Sequence, residues 1–191
     1  MTNSDLQALK DELSIKCKNG VDFISAATII WLLIGGIWSL SYTSYDKSVL
    51  TFIIGGLLLP VALGFSKIYK TQWKIPNNPL SPLGLWLNFA QLFYFPFLVF
   101  ILIKSPEYFV MTYAIITGAH FFPYAWFYDE IAYAITAGII AIGSLVLGLF
   151  LEPSQMYLLP LIMSLALGLL VTILYASAQR KSKARGVIQE D

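Results

Sequence analysis

The residues best equipped for chemistry lie in the run Gly118-Ala119-His120-Phe121-Phe122-Pro123-Tyr124. There the chain's only histidine stands in a stretch apolar enough to cross a membrane. In water one imidazole says little. In hydrocarbon an ionisable, hydrogen-bonding ring is costly and turns toward the protein interior, so it marks a candidate site. Around it Tyr113, Thr117, His120, Tyr124 and Tyr128 recur at steps of four, three, four and four. At about 100° per residue they occupy one helix face about 80° wide. A second polar set, Gly84, Asn88 and Gln91, shares a face of the preceding apolar run. With Phe93 and Gly118 as span centres, Gln91 and His120 each fall about 3 Å to the inner side of the midplane, and Asn88 and Tyr124 about 7–9 Å.

Two readings fit this pattern. One is a closed interhelical hydrogen-bond network, with bonds of about 0.6 kcal/mol each in a membrane. The other is a cavity open toward the cytoplasm, lined by His120, Gln91, Asn88, Tyr113, Thr117, Tyr124 and Tyr128. Prolines at Pro60, Pro96 and Pro123 predict helix kinks that free backbone carbonyls at mid-membrane. Other chemistries fail on inventory. A catalytic metal centre needs about three protein ligands, and the predicted spans contain one His and no Asp, Glu or Cys. Ser144 follows Gly143 but lacks the downstream glycine of a nucleophile elbow. The sequence therefore offers no catalytic residue, no metal site and no cofactor site, and it points away from an enzyme.

The elements that must position these residues are membrane helices. Apolar residues make up 58% and charged residues 12%, with a mean hydropathy of +0.72, against about 25% charged in a soluble domain. Six apolar runs, 23–42, 49–69, 83–103, 108–128, 131–150 and 156–175, are each long enough to cross about 30 Å of hydrocarbon as a helix. The expected fold is all-α: a polytopic six-helix membrane domain over residues 21–178. A short amphipathic interfacial helix precedes it over 1–20, and a basic-then-acidic tail follows over 179–191. In the first segment, Leu6, Leu9 and Leu13 share a face, Ser4 and Gln7 fit a capping box, and Gly20 marks the stop. No cleavable signal peptide is apparent.

Lys10, Lys16, Lys18, Lys67, Lys70, Lys74, Arg180, Lys181, Lys183 and Arg185 all fall on one side of such a bundle, against Lys47 and Lys104 on the other. The positive-inside rule then predicts both termini in the cytoplasm. Trp and Tyr residues at the span ends agree. The connection 71–82, rich in proline and asparagine, is the longest loop. Short links at 104–107 and 129–130 make spans three, four and five antiparallel neighbours. A net charge of +1, with no basic stripe interleaved with aromatics, argues against a nucleic-acid partner. Cys17, the single cysteine, reads as an inert thiol.

The segment from Leu83 to Pro96 (Leu-Gly-Leu-Trp-Leu-Asn-Phe-Ala-Gln-Leu-Phe-Tyr-Phe-Pro) resembles an uncharacterised family, a domain of unknown function, of small bacterial multi-pass membrane proteins. So do Pro106–Met111 and Gly118–Trp126. The resemblance implies a bacterial cytoplasmic (inner) membrane protein and carries no activity, substrate or catalytic residue. The leading expectation is a non-enzymatic membrane protein, a candidate transporter, that binds or passes a small molecule between spans three and four. Its partners are then the lipid bilayer and that ligand; the sequence does not set an oligomeric state. The alternative is a structural or regulatory subunit whose polar residues only hold helices together. A membrane-embedded enzyme comes third.

Overall fold

The computed structural model describes residues 3–186; the acidic end of the predicted tail, Glu190 and Asp191, lies outside them. The described chain is all-helical, without strands. Its helices are α1 (Asn3–Lys16), α2 (Val21–Trp38), α3 (Ser44–Gly55), α4 (Leu58–Tyr69), α5 (Ser81–Leu92), α6 (Phe95–Lys104), α7 (Phe109–Phe127), α8 (Ala132–Phe150) and α9 (Leu158–Ala184). Five helical segments among the described residues are long and apolar enough to cross a membrane: 18–38, 44–69, 81–104, 132–150 and 153–184. The remaining predicted span is α7, which is not in that set. Its 19 residues include His120, Pro123, Thr112, Thr117 and the tyrosines Tyr113 and Tyr124, which lower its hydropathy.

Spans two and three are each broken once. α3 gives way to α4 across Gly56-Leu57, and α5 to α6 across Phe93-Tyr94. Pro60 and Pro96 lie just downstream of these breaks. Each lacks the N–H that would bond the carbonyl four residues back, so the ladder stops there. Pro123, in contrast, sits inside the unbroken α7.

α2 is the central pole. Val21, Ile24, Ala27, Ile30, Trp31, Ile34 and Trp38 are all buried, and the helix packs against α9 and α4. α7 and α8 form the tightest hairpin. At Gly118 an added Cβ would stand 2.6 Å from Ile140 Cγ2 and 3.1 Å from the Ala141 backbone nitrogen. Only a hydrogen there lets the two backbones approach so closely. The α5–α6 span is different: 6% of it is buried by protein, against 61% of the α2 span.

The N-terminal helix packs across one end of the bundle as a cap. Lys10, Leu13, Ser14, Ile15 and Cys17 are buried, Asn78 Nδ2 donates to Leu9 O at 3.0 Å, and Gln72 N donates to Lys16 O at 3.0 Å. Ser4 lies within α1, and Gln7 Nε2 donates to Asp129 Oδ2 at 2.8 Å. At the other end of the chain, α9 runs on to Ala184.

Candidate functional site

The seam between α5 and α7 holds most of the polar residues singled out by their spacing. The two helices run antiparallel and touch near Gly84. Tyr124 OH makes a long hydrogen bond of 3.5 Å to Gly84 O, and the Phe127 ring would lie 3.2 Å from a Cβ at that glycine. Asn88 Nδ2 donates to the same Gly84 carbonyl at 3.0 Å. With Tyr124 level with Gly84, a rise of about 1.5 Å per residue puts His120 level with Asn88 and Thr117 level with Gln91. The rest of the contact is slight, because α5 buries none of its residues completely.

His120 is partly exposed, its ring 5.3 Å from that of Tyr124 in an edge-on arrangement. Gln91 is also partly exposed. Among the described residues, neither the imidazole nor the Gln91 carboxamide makes a hydrogen bond. The other members of the stripe look elsewhere. Thr117 returns its hydroxyl to Tyr113 O at 2.9 Å on its own helix. Tyr113 turns toward Trp31 and Phe95, at 5.2 and 6.5 Å. Tyr128 stacks on Tyr133 of α8 at a centroid separation of 6.0 Å, and Tyr124 lies tilted against the same ring at 5.7 Å. The face predicted to line one cavity thus divides between an aromatic cluster around Tyr113, the partly exposed His120, and a tyrosine cluster at Tyr124 and Tyr128.

The profile of one family, described as a family of unknown function (DUF7010), matches this chain over residues 6–177. The chain belongs to that family. No curated protein and no solved structure matches it. The match takes in α2 to α8 and most of α9, and with them both the seam and the helix ends that α1 closes.

The DUF7010 chain has a second polar constellation at those ends, built from residues that the spacing argument passed over. Between α1 and α2, Lys18, Asn19 and Gly20 all take positive φ, at 47°, 55° and 70°. A left-handed conformation costs about 1–2 kcal/mol for a residue with a Cβ, so something must hold Lys18 and Asn19 there. Asn19 is fully buried. Its Nδ2 donates to Leu174 O at 3.1 Å, its Oδ1 accepts from Ser14 Oγ, and its carbonyl accepts from Tyr133 OH at 2.6 Å. Gly20 packs against the rings of Tyr128 and Tyr133, where a Cβ would meet both hydroxyls at 3.2 Å.

Lys181 extends this network across the end of α7. Its Nζ donates to Ser14 Oγ at 3.0 Å and to the carbonyls of Tyr128 and Asp129 at 2.9 Å each. Those carbonyls are the unpaired negative end of a helix, where a cation is favoured. Asp22, in the first turn of α2, is buried and accepts from Trp73 Nε1 at 2.7 Å, Thr71 Oγ1 at 2.5 Å and the Phe23 amide at 3.0 Å. It ties the 71–80 connection, and so the root of α5, to the central pole. Cys17 is buried beside it and donates to Gln72 O at 3.1 Å. Burial first, then the charges of Asp22 and Glu12, push its thiol up to about 12, which leaves it unreactive. Among the described residues no cluster of His, Cys, Asp and Glu could hold a metal ion.

Proposed function

We propose that the chain is a six-span membrane protein of the bacterial cytoplasmic membrane with both termini inside, and that its α5/α7 seam receives a small polar molecule from the cytoplasmic side. The observation that carries this reading is the pair His120 and Gln91. Both stand at mid-span depth, partly exposed and without a hydrogen-bonding partner among the described residues. In hydrocarbon an unsatisfied imidazole or carboxamide costs several kcal/mol, so these groups call for a polar occupant or for water. α7 serves as the sixth span, its lower hydropathy coming from His120, Pro123, two threonines and two tyrosines. The basic residues at the inner ends support the orientation.

Cysteine accessibility tests the recess, and the buried, unreactive Cys17 provides a clean background. His120→Cys and Gln91→Cys, in membrane vesicles, are expected to react with a small charged methanethiosulfonate reagent presented from the cytoplasmic side. Phe122→Cys, on the uncovered face of the same helix, is expected to stay unlabelled in lipid. Labelling at position 120 no faster than at position 122 rejects the recess. The alternative, that polar residues serve helix packing alone, is favoured by the fully bonded Asn19–Lys181 network, which has no counterpart at the seam.

A further inference from the structure

Between the turn after α1 and the cytoplasmic extension of α9 lies a cleft lined by Ile15, Lys18, Ala178, Gln179 and Ser182. Its volume is about 10 Å³, room for about one water-sized atom. Lys18 is 9% exposed and makes no ion pair or hydrogen bond among the described residues. Other cations nearby are engaged: Lys16 with Glu12, Arg185 with Asp11, Lys10 over the Trp126 ring at 3.8 Å, and Lys181 on carbonyls. The Lys18 stem is nearly buried, and its ammonium, unpaired among the described residues, reaches solvent at the cleft. The chain fixes it there with two successive left-handed residues, pinned through Asn19.

We infer that this cleft is an anion site that takes one oxygen of a phosphate group. Lys18 supplies the charge, and Gln179 supplies a donor from α9. The exposed Arg180 and Lys183, free of acidic partners among the described residues, raise the local potential. Only the tip of a ligand fits, so the rest of the phosphate-bearing molecule stays outside. Taken with the topology proposed above, the cleft lies just past Tyr175, at headgroup depth, where an anionic phospholipid presents such an oxygen. Free inorganic phosphate offers the same chemistry from the aqueous side.

The test follows thermal unfolding of the full chain, purified in neutral detergent, during two titrations. One adds phosphatidylglycerol with phosphatidylcholine as control, and the other adds inorganic phosphate at constant ionic strength. Stabilisation by phosphatidylglycerol and not by phosphatidylcholine assigns the site to a lipid headgroup; stabilisation by inorganic phosphate assigns it to a free anion. In either arm Lys18→Gln is expected to weaken the midpoint about fivefold, the equivalent of about 1 kcal/mol per lysine. Lys18→Arg is expected to restore it, and Lys67→Gln, which removes the same charge elsewhere, to leave it unchanged. The proposal is overturned if neither titrant stabilises the wild type, or if Lys18→Gln and Lys67→Gln respond alike. Neither arm involves His120, so the result is separate from that of the seam.

Discussion

The two sides of this molecule are built by different rules. The α2, α7, α8 and α9 side, closed below by α1, is joined by small residues, interlocked rings and buried hydrogen bonds between distant segments. The α3–α6 side is attached more loosely. Of the α5–α6 span, 6% is covered by protein, and of the α3–α4 span, 17%. Polar side chains follow the same division. At the helix ends closed by α1, Asn19, Lys181 and Asp22 find two or three partners each, while Gln91 on the loose side finds none among the described residues. The bonded polar groups and the unbonded ones thus sit in different parts of one chain.

Asn19→Ala should break this division most severely. It strips Leu174 O and Ser14 of their partner and leaves a methyl-bearing residue in a left-handed turn. Loss of buried hydrogen bonds at about 1–3 kcal/mol and added strain of about 1 kcal/mol give an expected destabilisation of about 2–4 kcal/mol in reversible unfolding in detergent. A change under about 0.5 kcal/mol would mean that the network is not what holds the cap. Lys181→Met against Trp86→Leu then compares the two sides directly. Losing Lys181 leaves the end of α7 uncapped, for an expected cost of about 1–2 kcal/mol. Trp86 is 68% exposed on α5, and its change should stay within about 0.5 kcal/mol. Equal costs would show that α5 is held more firmly than its burial indicates.

Membrane-length helices and their breaks are written locally, so they could be read directly. Proline stops a ladder wherever it stands, and a run of apolar residues needs no partner to declare its length. The inner network is not local. Asn19-Gly20 reads as a helix stop, and nothing nearby announces that its carboxamide meets Leu174 O, 155 positions away. Lys181 counts as one more inside charge until α9 is seen to carry it under α7. Asp22 stands one residue before the predicted first span, yet the helix begins at Val21 and takes it in. The seam was half legible. Periodicity groups the polar residues of α7 along one face, but their level against α5 depends on where Phe127 meets Gly84, which periodicity cannot state.

The smallest expected effect concerns the tie between the two sides. Asn78 Nδ2 donates to Glu12 Oε2 at 2.9 Å and so links the cap to the connection that feeds α5. The Lys16 hydrogen bond holds the Glu12 carboxyl below its ordinary value of 4.5; partial burial opposes this, and the Asn78 bond adds to it. A carboxylate whose folded pKa is depressed contributes stability that is complete above its unfolded pKa and is lost as pH falls through the folded one. The melting temperature should therefore be insensitive to pH near neutrality, where Glu12→Gln loses the whole contribution, and the gap between Glu12→Gln and wild type should close only below about pH 4.5. Because the Glu12 side chain is a third exposed to solvent, the difference should be slight. Hydrogen exchange sharpens the point. If the tie steadies the loose side, amides of 75–92 should exchange faster in Glu12→Gln while those of α8 stay unchanged. Identical exchange in both segments would place the hold on α5 with Asp22 and Trp73 instead.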